Sequence, residues 1–532
     1  MKRWSLFGKL SFFWIEMLFI ALLVVIGVVG IILLRFATPY GLGLVNDSVG
    51  YIAGARNILA GNGYSRFTGD FIVVPITNYP PMYSISLAAI GVTGLEIIRA
   101  ARLLNMIFIA VNIVCFAWVI RSTTRSRGFM LFGGALFLCS EAFLSIHSYA
   151  LSEPLYLVLN FLVLGLLAYY LVNPRWYWLA GVGVLASMAF LTRYPAVALY
   201  ATVGLMLVYY HDGWRNWMKA GIIFSVFSLP GVLGWMTRNA LITGNTANRT
   251  LVFHPISEHK YLEGLSNFWY FLLPNEVVSV EQNSGVWAAV FGLVIAAVVF
   301  AVVLISRATR RWKIDQLSPR LGDMLVVVFG AQGLLYVLVL VFTLTFLDAS
   351  PIFEHRILSP FYVSVLVLLV FFVGRLWTHS GLPYKLVSII LSIGLLLSFG
   401  VDGWNMAAGL SENGKGFASY QWKESEIVRV ARQIPTDVTL FSNRPTALYI
   451  LADRSAYAML SPFNTALAEE RPHYHEDVDR IHQMVLDQEA MLIVFDYHML
   501  VSNPEEKWVL KWTDGLPIYS NLGNDVIFGA LP

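Results

Sequence analysis

About eleven times along the chain an apolar run recurs that is long enough to carry a helix across a hydrocarbon core, and this repetition restricts the fold more than any other feature. The runs lie near 12–34, 100–120, 128–146, 152–171, 177–192, 194–210, 219–237, 285–306, 323–347, 357–374 and 385–402. In lipid a spanning segment must satisfy its own backbone polar groups, so each run reads as a helix. Of 532 residues, 57% are hydrophobic and 13% charged, which excludes a soluble protein of this length. The net charge of +3 says nothing about nucleic acid, because in such a protein basic residues sort by membrane side. The first run follows Lys2, Arg3 and Lys9, exceeds a signal-peptide core and has no small-x-small cleavage site behind it, so it reads as a retained span. Both cysteines, Cys115 and Cys139, fall inside apolar runs and point to packing positions.

The stretch "PPMYSISLAAIGVTGLEI", 80–97, either crosses or lies at the interface, since two prolines open it and Gly91 and Gly94 interrupt it. Charge decides. Positively charged loops stay in the cytoplasm, and one added span flips the side of every later loop. The basic loops are "RSTTRSR" at 121–127, "HDGWRNWMK" at 211–219 and "RATRRWKIDQLSPR" at 307–320. All three share the side of Lys2 and Arg3 only if 80–97 does not cross. The expectation is therefore a polytopic α-helical protein with a cytoplasmic N-terminus, the multi-span part covering 1–402. Segments 35–98, 238–284 and the tail 403–532 then lie outside. The tail alternates expected helices near 421–433, 445–454 and 473–488 with strands "VTLFSN" and "AMLIVFDY", which reads as a small extracytoplasmic α/β domain. No internal repeat or nucleotide-binding glycine loop is visible.

This topology gathers the chain's ionisable outliers on the outer face. "NDSVGYIAGARNILAGNGY" places Asp47 at or near the start of an amphipathic helix. "NYPPMY" opens the second interfacial helix. "SEPL" puts Glu153, "LTRYP" Arg193 and "WMTRN" Arg238 at outer ends of spans, and "DASPIFEHRILSP" adds Asp348, Glu354, His355 and Arg356. Two readings of Asp47 fit the residues: a helix cap, or a functional carboxylate. Glu153 before Pro154 also fits an ordinary first helical turn, and the arginines fit snorkelling to headgroups. Positive charge is depleted on an outer face, so arginines kept there call for partners.

The ordered motifs "ND…Y…A…GNGY", "YPPMY", "SEPL", "LTRYP", "RN…G" and "HRILSP" together resemble the multi-spanning GT-C glycosyltransferases. The groups they resemble are protein O-mannosyltransferases, aminoarabinose transferases and rhizobial lipopolysaccharide core glycosyltransferases. The resemblance spans about residues 10–375, and "SNRPTALYILADR" looks like outer domains of some bacterial members. It implies about eleven spans, two interfacial helices after the first, and transfer of a hexose or pentose, with inversion, from a polyprenyl-phosphate donor. The acceptor would be a protein, lipid or glycan on the outer face. Asp47 matches the family's leading base candidate; Glu153, by its position, is a second catalytic candidate that would hydrogen-bond the acceptor or orient a polar group. Arg238, Arg356 and Arg193 would meet the phosphate, with His355 nearby. Aminoarabinose transferases carry a lysine where this chain has Tyr79, so this position offers at most a neutral hydrogen bond to substrate. The two-tryptophan-and-aspartate motif of oligosaccharyltransferases is absent, which argues against transfer of a whole oligosaccharide to asparagine. No cofactor is implied. Asp47 and Glu153 alone make a thin site for a divalent cation, so no metal is expected. The competing classes are a transporter or flippase of a lipid-linked glycan precursor, which should show midplane charges and broken helices in paired halves, and a non-catalytic envelope scaffold.

Overall fold

The computed structural model describes residues 2–246, 251–273, 283–310, 317–347, 353–464 and 469–531. Among the described residues, fifteen α-helices carry the first part of the chain: α1 Lys2–Ala37, α2 Asn46–Leu59, α3 Met82–Gly91, α4 Ile97–Thr124, α5 Arg127–Cys139, α6 Glu141–His147, α7 Glu153–Val172, α8 Trp176–Phe190, α9 Val197–Tyr210, α10 Trp214–Thr243, α11 Glu258–Leu272, α12 Ser284–Arg310, α13 Leu317–Phe346, α14 His355–Thr378 and α15 Leu382–Asn413. Eight described helices are long and apolar enough to cross a membrane, and α5 with α6 passes the same test as a pair bent by 61°. The remaining two sequence runs, near 177–192 and 194–210, correspond to the shorter apolar helices Trp176–Phe190 and Tyr194–Tyr210. This is a multi-pass membrane protein.

The expected interfacial stretch 80–97 is not one helix. Its helical part, α3, has 10 residues, about 15 Å of rise against a core of about 30 Å, so it is too short to cross. Two features of the segment between α1 and α3 carry no pattern in the sequence. An antiparallel hairpin, β1 Ser65–Thr68 with β2 Ile72–Pro75, stands between α2 and α3, and its turn holds Asp70 and Phe71 at positive φ of 52° and 56°.

The ends of the helices sort as the basic loops required. Arg121 and Arg127 both pair with Glu16, near the start of the apolar segment Trp14–Ala37 of α1. Arg125 and Arg375 pair with Asp323 near the start of α13, and Tyr210 reaches Thr309 across 2.9 Å. The 121–127 turn therefore lies at the same end of the bundle as the beginning of α1, and the 211–219 turn adjoins the described start of the 307–320 loop. The starts of α7 and α14 lie at the other end. Large parts of α1, α12 and α15 present apolar side chains outward, as a lipid-facing surface requires, whereas α14 and α7 are mostly buried.

α15 continues past 402 to Asn413 before the tail begins. Beyond it, a five-stranded sheet has the order β4 Tyr457–Ala458, β3 Thr439–Ser442, β7 Ala490–Val494, β9 Asp525–Phe528, β8 Ile518–Leu522. The first three strands are parallel and the last two antiparallel. Helices 426–433 and 474–486 cover opposite faces of it, as two separate apolar clusters show. A short pair, β5 Phe463–Asn464 with β6 Glu469–Glu470, stands beside the sheet. The strands "VTLFSN" and "AMLIVFDY" appear where expected, as β3 and β7. The β8–β9 hairpin leaves little pattern in the sequence because its exposed strand alternates weakly.

Hydrogen bonds tie the tail to the segment between α1 and α3. Phe417 N–H donates to the Leu44 carbonyl at 2.8 Å, Lys423 Nζ to the Tyr40 carbonyl at 2.9 Å, and Thr446 Oγ1 to Asn46 Oδ1 at 2.6 Å.

Candidate active site

α2 begins at Asn46, so Asp47 lies in its first turn and is not its cap. The cap residue is Val45, whose backbone N–H donates to Ser48 Oγ at 3.2 Å. With the terminus served by Ser48, the Asp47 carboxylate turns elsewhere while keeping the favourable field of a helix N-terminus. Its Oδ1 accepts a hydrogen bond from Tyr79 Oη at 2.9 Å. Its Oδ2 lies 3.0 Å from Arg356 Nη1. The helix-cap alternative for Asp47 is thereby replaced by a specific pair of partners.

Arg356, in the first turn of α14, joins two carboxylates, because its Nε also lies 3.2 Å from Glu153 Oε1. The same Oε1 pairs with Arg193 Nη1. Asp47, Arg356, Glu153 and Arg193 thus alternate in sign along one chain of contacts. The cluster is neutral as a whole. Its members differ in access: the Glu153 side chain is 3% exposed, whereas Asp47 is 31% and Arg356 29% exposed. Asp47 and Arg356 are partly open, whereas Glu153 is buried against the two guanidiniums.

Tyrosines pack around this cluster. Tyr51 shares a 3.1 Å hydrogen bond with Ser152, and its ring lies 5.2 Å from those of both Tyr79 and Tyr83. Gly50 permits the approach of Tyr79, since a Cβ there would come within 2.7 Å of the ring. Burial, and next the Asp47 charge, push the Tyr79 phenol well above its usual range. It stays protonated and donates to the carboxylate.

On its other side Arg356 borders a cavity of about 350 Å³, lined also by Tyr149, Glu263, Asn267, Glu354 and His355. His355 Nδ1 is hydrogen-bonded to Tyr362 Oη at 3.2 Å, and Tyr362 donates to the Asn267 carbonyl at 2.9 Å. Burial, and next the charge of Glu354, push the Tyr149 phenol up to about 12. Glu263 and Asn267 of α11 enter the site without a signal in the sequence, where they sit in an unremarkable amphipathic helix. Asp348 lies outside the described residues.

Arg238 stands apart from this cluster. Its Nη1 donates to the Ile76 carbonyl at 2.9 Å and its Nη2 to the Tyr64 carbonyl at 3.0 Å, and its guanidinium rests 5.0 Å from the Trp235 ring. It clips the β1–β2 segment onto α10. Among the described residues no three His, Cys, Asp or Glu side chains are grouped as metal ligands.

No protein-family model matches the sequence, and no curated protein matches it by sequence. Solved structures do match in shape. The archaeal oligosaccharyltransferase AglB from Archaeoglobus fulgidus, in complex with an inhibitory peptide and a dolichol-phosphate, superposes with a TM-score of 0.52 at 10% identity, over 96% of this chain and 74% of that one. The mycobacterial arabinofuranosyltransferase AftD gives 0.55 at 13% identity over 96% of this chain, which spans 41% of AftD. ArnT from Cupriavidus metallidurans in its apo state gives 0.49 at 15% identity, over 97% and 98% of the two chains. The chain has the GT-C fold. Within the GT-C fold of this chain, Asp47 follows the first long helix, Glu153 opens α7 and Arg356 opens α14, so residues far apart in sequence meet at one end of the bundle.

Proposed function

We propose that this GT-C protein is an integral membrane glycosyltransferase that moves one sugar, a hexose or pentose, from a polyprenyl-phosphate donor to an acceptor on the outer face. The observation that carries the reading is Arg356, which bridges Asp47 and Glu153 on the wall of a cavity. A dolichol-phosphate bound to AglB, a protein of the same fold, supports a lipid phosphate as the donor's chemical class. The multi-span part, 1–402, would hold the reaction and the tail, 403–532, would stand outside with the N-terminus in the cytoplasm.

In this reading the donor phosphate takes the guanidinium of Arg356, which loosens its hold on Asp47. The freed carboxylate accepts the proton of the acceptor hydroxyl as that oxygen bonds to the anomeric carbon. The bond from that carbon to the phosphate oxygen breaks on the opposite face, and its electron pair leaves with the polyprenyl phosphate. Configuration inverts. Arg356 stabilises the charge on the departing phosphate. Glu153 fixes Arg356 and Arg193 in place, and is a positioning residue in this scheme. Tyr79 holds Asp47 by a neutral hydrogen bond, and Arg238 acts through the loop it clips.

The test is mass spectrometry of envelope glycans from cells with the protein, without it, and with the Asp47→Asn variant at equal abundance. One sugar missing identically from the last two supports the reading. Full restoration of that sugar by the Asn variant removes Asp47 as the base, and an unchanged glycan profile without the protein removes the transferase reading.

A further inference from the structure

A large cleft lies away from the Asp47 cluster. It measures about 930 Å³ and opens between β4, the helix 474–486 and the β5–β6 pair, at the upper end of the range of small-ligand pockets, about 300–1,000 Å³. Its floor is aromatic. The Phe441 and Tyr457 rings stack with centroids 5.3 Å apart, and Trp512 lies 6.4 Å from Phe441. The Trp512 indole N–H donates to Tyr474 Oη at 3.1 Å, so that side of the floor is fixed.

The rim is polar and mixed. Asp477 and Arg480 form a 3.0 Å ion pair with side chains 56% and 72% exposed. Glu469, Glu470 and Arg471 line the opposite wall. Asp70 closes one end, reaching in from the β1–β2 turn. It accepts hydrogen bonds from Thr439 Oγ1 at 3.0 Å and Tyr457 Oη at 3.3 Å. Its positive φ aims the turn toward the tail, and Gly69 is required beside it, because a Cβ there would come within 2.1 Å of the Tyr457 ring.

We infer that this cleft binds a neutral saccharide, the glycan portion of the acceptor. The inference rests on the transferase reading above and narrows its acceptor to a carbohydrate. Ring faces carrying C–H groups pack on an aromatic floor, while hydroxyls donate to carboxylates and accept from guanidiniums. Four carboxylates against two arginines disfavour an anionic ligand. A peptide bound by strand addition needs a longer free edge than the two residues of β4. The cleft is also mechanically tied to the reacting end. Asp70 belongs to the outer segment between Asp47 and Tyr79, and Thr446 of the tail donates to Asn46, the neighbour of Asp47. A glycan held in the cleft therefore rests on the same segment that carries the base.

The experiment is saturation-transfer NMR on the full chain in lipid nanodiscs. The probes are maltohexaose, cellohexaose, mannohexaose, chitohexaose and arabinohexaose, with a Ser/Thr-rich peptide as the contrasting ligand. At least one hexasaccharide should bind saturably, and Tyr457→Ala should weaken it about tenfold. Asp477→Asn and Arg480→Gln change exposed side chains and spare the fold; each should weaken binding severalfold. No saturable binding to any hexasaccharide overturns the inference, as does affinity unchanged in all three variants, or saturable binding of the peptide alone. The two claims fail separately: absence of saturable hexasaccharide binding to the wild type overturns the cleft, whereas full transfer by Asp47→Asn overturns the base.

Discussion

Two clusters of carboxylates and arginines stand at opposite ends of the same helices, and they are built differently. At one end Glu16 meets Arg121 and Arg127, and Asp323 meets Arg125 and Arg375. All of these come from helices or turns that the bundle already brings side by side, and arginines outnumber carboxylates. At the other end Asp47, Glu153, Arg193 and Arg356 come from the helix that follows α1, two helix starts and the link between α8 and α9, with the signs balanced. Arg356 and Arg375 lie on one helix, roughly 28 Å apart by its rise. Burying balanced charge adds little to stability compared with apolar packing, so the second cluster has a poor structural rationale of its own. The first pins helix ends on the side where basic residues collect. The second is where work on an anionic substrate is expected.

The largest break between the two should come from removing one carboxylate from each. Asp47→Asn keeps the shape and loses the base, so transfer should fall by about 10²–10⁴-fold. It is measured as single-sugar turnover in protein whose melting temperature matches the wild type. Turnover within a few-fold of wild type would show that the outer cluster is no more catalytic than the inner one. Next is Arg356→Gln, which removes the charge facing the leaving phosphate and should cost about 10²–10³-fold in turnover. The corresponding Arg375→Gln should leave turnover within about twofold.

Third is a stability contrast. Arg193→Ala strips one of two partners from Glu153, whose side chain is 3% exposed, and breaking a buried pair in this way costs about 3–5 kcal/mol. Arg121→Ala, at a 34% exposed side chain, should cost about 1 kcal/mol or less. Thermal melts in detergent compare them. The double variant Arg193→Ala with Glu153→Gln should be more stable than Arg193→Ala alone, because no buried charge is stranded; equal stability would show that Glu153 does not depend on Arg193.

Much of this arrangement was legible in the sequence. Run length exposed the helices, and loop charge settled that 80–97 does not cross, because both signals are carried by many residues at once. That Asp47, Glu153, Arg193 and Arg356 share one end of the bundle followed from that parity. Their connectivity did not: that Arg356 bridges Asp47 and Glu153 depends on how α14 meets α2 and α7, which no local pattern encodes. Arg238 illustrates the limit from the other side. Its position at a helix end matched that of the other arginines, yet its donors are spent on the carbonyls of Tyr64 and Ile76. Glu263 and Asp70 were missed for the same reason, since each acquires its setting from a segment distant in sequence.

A smaller effect tests how finely Asp47 is held. Tyr79→Phe removes one neutral donor to a charged acceptor, an interaction of about 1.5 kcal/mol, and so predicts about a tenfold loss of turnover with little change in donor KM. A loss as large as that of Asp47→Asn would instead give Tyr79 a direct part in the reaction.

The smallest effect should come from Glu16→Gln, and its smallness is informative. Glu16 faces two arginines, as Arg356 faces two carboxylates, so the two centres are mirror images in charge. If charge pairing alone made the outer cluster matter, the inner one would matter equally. Glu16→Gln leaves Arg121 and Arg127 about 34% and 29% exposed, where water and lipid headgroups can solvate them. Turnover should stay within about twofold and stability within about 1 kcal/mol of wild type. A tenfold loss of turnover would mean that the inner end of the bundle controls the outer site. The difference between the two clusters would then lie in how they are coupled, and access to substrate would no longer explain it.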